Sequence, residues 1–107
     1  MPKIKIITAL LAISILTFAC PMSPIYIHGK NYQRDKDYAS LAKVVELLEL
    51  GTDTSKVRQI LGEPIDMGFD FRYLLDSVGP QDCVVGAVFH IDEDGKIDQK
   101  WLDEICE

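Results

Sequence analysis

The sequence predicts an α+β domain, with two N-terminal helices forming an αα-hairpin packed on a three-stranded antiparallel β-meander, in the order ααβββ. Three observations lead there. Apolar residues recur at helical spacing between Asp37 and Leu61, in two runs parted by Gly51. After Pro64 the apolar period shortens to that of a strand. Asp94-Gly95 then marks a tight turn between two further apolar runs.

The first nineteen residues stand apart from that domain. Lys3 and Lys5 precede an uncharged run from Ile6 to Ala19, which has the length of a signal-peptide core. It is shorter than the roughly 20 residues a helix needs to cross a bilayer. Cys20 follows the small residue Ala19, as in a bacterial lipobox, although Thr17 stands where leucine is usual. At such a site the thiol is alkylated with diacylglycerol, the chain is cut before the cysteine and the new amine is acylated. Cys20 is therefore the candidate lipid-attachment residue. Cleavage after Ala19 without lipidation, or an uncleaved anchor helix, are the alternatives. All three place the remaining chain outside the cytoplasm.

Residues 20–37, with two prolines, a glycine and many polar groups, read as a flexible tether, leaving 38–107 as the folded domain. The first nineteen residues hold two of the eleven basic residues and none of the seventeen acidic ones, so the other 88 carry a formal charge of −8. Such a surface excludes nucleic acid and anionic lipid head groups as natural partners and favours a basic protein patch. Three cysteines are an odd count for an exported chain. With Cys20 lipidated, Cys83 and Cys106 are left to pair in an oxidising compartment. A metal site is the competing use of these thiols, but only His28 and His90 could join them, and neither CxxC nor HxxxH spacing occurs.

Within the domain, Leu41, Val44, Val45 and Leu48 form one helical stripe, which Gly51 is expected to end. Asp53 is placed to cap a second helix after a three-residue link, with Val57, Ile60 and Leu61 on its buried face. Gly62 ends that helix and Pro64 prevents its restart. Phe69, Phe71, Tyr73 and Leu75 alternate with Asp70, Arg72 and Leu74 as a first strand with one mostly buried face. The run 83–91 is apolar apart from His90 and reads as the central strand; Ile97, Gln99 and Trp101 begin the third. Antiparallel pairing about the Asp94-Gly95 turn brings Cys83 opposite residue 104 or so, within a short curl of Cys106.

Residues 92–98, DEDGKID, resemble a calcium loop only in composition. With Gly95 as the loop's glycine, the first and last ligand positions fall on His90 and Trp101, and neither has a carboxylate. His90 could act as a base with Asp98 or Asp92 as its orienter, but no nucleophile is placed by a recognisable elbow. No phosphate-binding loop, metal set or cofactor motif stands out, and the chain reads as a non-enzyme without a cofactor.

Residues 48–64, LELGTDTSKVRQILGEP, resemble the SmpA/OmlA family of small outer-membrane lipoproteins. Gly51, Asp53, Val57, Leu61, Gly62 and Pro64 occupy the family's helix–turn–helix positions, while Thr52 and Asp53 depart from its methionine followed by threonine or serine. The looser likeness covers residues 41–101. The resemblance implies a lipid-anchored, periplasm-facing outer-membrane protein that acts as an adaptor in β-barrel or envelope assembly and binds other envelope proteins. Pro21 after the cysteine fits export to the outer membrane. A binder that inhibits a periplasmic enzyme, or confers immunity to one, is the alternative. Phe71, Tyr73 and Trp101 are the candidate interaction residues on the sheet face expected to remain open.

Overall fold

A computed structural model of the chain describes residues 23–107. The expected signal peptide over 1–19 and the lipid-attachment residue Cys20 lie outside them. Three helices, α1 (Pro24–Asp35), α2 (Tyr38–Leu47) and α3 (Thr54–Leu61), precede four strands, β1 (Ile65–Asp66), β2 (Asp70–Val78), β3 (Val84–Ile91) and β4 (Ile97–Ile105). The sheet is antiparallel in the order β1-β2-β3-β4. The α+β class and the β2–β3–β4 meander agree with the sequence reading, whereas the helix and strand counts do not.

The largest difference is α1, where a tether was expected. Pro24 stands in the first turn, where the missing N–H costs nothing. Ile25, Gly29 and Tyr32 then fall on one face, against the rest of the domain. Gly29 is needed at the crossing: a Cβ there would collide with the Ile60 carbonyl. Gln33 donates to that same carbonyl at 2.9 Å, and Tyr32 donates to Leu74 O at 2.7 Å. The Tyr32 ring meets Tyr73 edge-on. Lys36 then turns the chain in a left-handed conformation, φ 51°, with its N–H on Tyr32 O at 2.7 Å.

The αα-hairpin is therefore α1–α2, joined through Lys36 and Asp37, and α1 packs on both α2 and α3. Asp37 caps α2 by accepting from Ser40 N at 3.0 Å. Gly51 was expected to end α2 and does not: the helix stops at Leu47, with Leu48 already extended, and Gly51 sits in the following link at φ 91°. Lys100 explains the early stop. Its Nζ donates to Val45 O, Glu46 O and Leu48 O at 2.6, 3.2 and 2.7 Å, satisfying carbonyls a further turn would have used. Asp53 caps α3 as expected, accepting from Ser55 N at 3.3 Å. Val57, Ile60 and Leu61 are buried, and Gly62 ends the helix at φ 85°.

The core lies between the helices and one face of the sheet. Leu41, Val44, Leu48, Val57, Ile60 and Leu61 meet Phe71, Tyr73, Leu75, Ala87, Phe89 and Ile97 there. Burying a side chain of this size is worth about 1.5–3 kcal/mol, so the interlayer contact dominates stability. Phe69 falls outside β2 and is exposed.

Candidate functional site

The strand register builds the helix-free face of the sheet. Ile65, Arg72, Val88 and Trp101 pair in succession across all four strands, and Asp70, His90 and Gln99 form the neighbouring row. Side chains alternate along a strand, so residues two apart share a face. Phe71 and Tyr73 consequently point the other way. Both are 3% exposed within the core, and Tyr73 OH donates to Gly62 O at 2.9 Å. Their assignment to the interaction surface is corrected: they hold the helices, while Trp101, 42% exposed, stays available.

Arg72 lies across the middle of this face. Its Nε pairs with Asp70 Oδ1 at 3.2 Å and its Nη1 with Glu107. Glu107 first, then Asp70, raise the Arg72 pKa above its ordinary value. The guanidinium is thus fixed by two carboxylates and walls a hollow of about 190 Å3 lined also by Val88, Trp101 and Ile105. A second hollow of about 240 Å3, lined by Ile65, Met67, Leu74, Val84 and Ile105, shares the same Arg72 and Glu107. The ion pair therefore forms a ridge between a largely charged hollow, which Asp70 and Glu104 also line, and a mainly apolar one. Ile65, Met67 and Trp101 are exposed around them.

The disulfide places the end of that ridge. Cys83 and Cys106 are bonded, with Cα atoms 5.3 Å apart, and flank the paired residues Val84 and Ile105. Glu104 also approaches these sulfurs, but as a cystine they have no thiolate to offer a metal. Glu104 accepts instead from Gln81 N at 3.1 Å. The Arg72–Glu107 pair was not foreseen in the sequence; its signal is the position of Glu107 directly after a cysteine whose partner begins the strand beside Arg72.

Charge is unevenly distributed. Residues 76–107 contain nine acidic residues and two basic ones, Lys96 and Lys100, and Lys100 is turned onto the end of α2. The two hollows therefore adjoin a hairpin that is mostly acidic, with Lys96 its exposed exception.

His90 Nδ1 lies 2.6 Å from Asp98 Oδ1, so the orienter anticipated for it is present. Asp98 fixes the ring at the edge of the same open face. Among the described residues no hydroxyl or thiol is hydrogen-bonded to this pair, so the geometry supplies an imidazole base without an adjacent nucleophile. A separate groove of about 300 Å3 opens where the chain enters α1, with Ile25, Leu47 and Leu48 as its apolar lining. No described helix is long and apolar enough to cross a membrane. Comparison with family models, curated proteins and solved structures finds no match.

Proposed function

We propose that this chain is a non-enzymatic, lipid-anchored periplasmic protein of the SmpA/OmlA kind. It is held at the outer membrane through Cys20 and binds other envelope proteins as an adaptor in barrel assembly or envelope maintenance. The observation that carries the binding role is the helix-free sheet face, where Trp101, Ile65 and Met67 are exposed around two hollows, one mainly apolar and one largely charged, beside an acidic hairpin. A partner covering this face removes apolar surface from water, and its charge is selected by the rim. The leader ending in Ala19-Cys20 supports the anchor, and the run 48–64 supports the family. In that run Asp53 caps, Gly62 turns, and Val57 and Leu61 plug α3 into the sheet.

The acidic hairpin also favours a second reading, an inhibitor whose negative surface covers the basic cleft of a periplasmic enzyme. A photo-crosslinking residue at position 101 in the native envelope separates the two. Crosslinks to outer-membrane assembly proteins support the adaptor, and one soluble enzyme as the product supports the inhibitor. No crosslink at 101, with the fold intact, removes this face from the account.

A further inference from the structure

Among the described residues the β4 strand ends the sheet, and most of its outer edge is unpaired. Only its start is covered: Gly51 N donates to Ile97 O at 2.6 Å and Ile97 N to Thr52 O at 2.8 Å. Beyond that point no backbone partner on the outer side is seen among the described residues. The ladder fixes which groups face outward. Ile91 N donates to Phe69 O on the β2 side, so the alternate residues Val84, Gly86, Val88 and His90 bond towards β4. Their partners are Ile105, Asp103, Trp101 and Gln99. The N–H and C=O groups of Lys100, Leu102 and Glu104 are then directed away from β3. Glu104 N confirms the assignment, because its hydrogen bond goes to the carboxylate of its own neighbour, Asp103, at 2.7 Å.

Resting on the binding role proposed above, we infer that this edge receives an extended, lysine- or arginine-rich segment of another protein as a fifth strand. An open edge pairs with whatever strand its charges admit. Asp98 and Asp103 flank it, while the Lys100 ammonium is held on the carbonyls of α2. Two copies meeting edge to edge bring carboxylates together, which disfavours self-pairing. A basic strand meets the opposite sign and completes the outward backbone groups. Side chains of the added strand two residues apart share a face, so one can lie against Trp101 and the next can pair with Asp103. The Asp103 carboxylate leaves Glu104 N to a ladder hydrogen bond and takes the incoming cation.

Trp101 is the single tryptophan of the chain and reports on its own surroundings. The test titrates the detergent-solubilised full chain, at low salt, with a capped peptide in which lysine and valine alternate on one face and threonine occupies the other. Saturable change in Trp101 emission, with slowed exchange of the Leu102 and Glu104 amides, is the expected result. The same peptide with glutamate for lysine, or with its ladder amides N-methylated, should bind at least tenfold more weakly. Asp103→Lys should reverse the preference between the lysine and glutamate peptides. No binding of the lysine peptide, equal binding of its N-methylated form, or binding that leaves both amides exchanging freely would overturn the inference. Lipid on Cys20 and crosslinks from position 101 would stand under any of those outcomes, so the adaptor reading fails or survives separately.

Discussion

A single ammonium ties the sheet to the helices. Lys100 replaces water on three carbonyls at the end of α2 while its stem lies on the core side of β4. Hydrogen bonds to charged groups contribute about 1.5–3 kcal/mol each at most when buried, and they share one donor group here. Lys100→Met should lower the unfolding free energy by about 1–3 kcal/mol in urea titration, with an unchanged far-ultraviolet spectrum. Asp37 sets a different dependence. The Ser40 hydroxyl, and next its N–H, hold the Asp37 carboxyl below its ordinary value, and Arg34 does the same to Asp35. A depressed folded-state pKa stabilises fully above the unfolded value of about 3.9 and is lost as pH falls through the folded one. The urea midpoint should therefore drop below about pH 4, and Asp37→Asn, which keeps a capping oxygen without the charge, should flatten that drop. Burial pushes the Tyr32 phenol up to about 12, with Asp76 adding to it. The hydroxyl that bonds Leu74 O thus stays protonated through the alkaline range a protein meets.

At the scale of elements, α1 decides whether the domain has two helices or three. Gly29 permits its contact with α3, so Gly29→Ala should cost about 1–3 kcal/mol, although alanine is the better helix former. If α1 were a loose tether, the same change would leave stability unaffected or raise it slightly. The disulfide closes a sequence separation of 23 residues. Replacing Cys83 and Cys106 by serine should cost about 3 kcal/mol by loop entropy and free Glu107 from Arg72. What could be read from the sequence followed local chemistry. Asp53, Gly62, Pro64 and the period-two run declare their roles within a few residues, and the Asp94-Gly95 turn fixed the register that brought the cysteines together. The misread features depend on distant partners. Residues 24–35 look polar because one narrow face of α1 does the packing, through Gly29 and Tyr32. The end of α2 is set by Lys100, which is 52 residues from Leu48. Phe71 and Tyr73 alternate correctly, but alternation cannot say which face meets the helices. The Ile65–Asp66 strand is too short for a periodic signal.

At the scale of the molecule, one sheet face is open, with Ile65, Met67 and Trp101 exposed around the Arg72 ion pair, and the neighbouring hairpin is mostly acidic. That division predicts how binding responds to solution conditions. Association through the acidic hairpin should weaken as salt rises, because exposed charges are screened within about 10 Å at 0.1 M. Trp101→Ala should weaken it at every salt concentration, since apolar burial is not screened. Both effects can be read from crosslinking yield at a position beside the tryptophan. The proposed anchor belongs to this scale as well, because a domain of this size held at a membrane would gain effective concentration near the envelope partners proposed for it. The central claim is that the chain is exported and fixed there by Cys20, with Cys83 and Cys106 joined. One intact-mass spectrum of the native, membrane-extracted protein tests it most directly. The account predicts a chain beginning at Cys20 that carries diacylglycerol and an amide-linked acyl group and lacks two hydrogens for the cystine. A full-length, unacylated chain with three free thiols would contradict it.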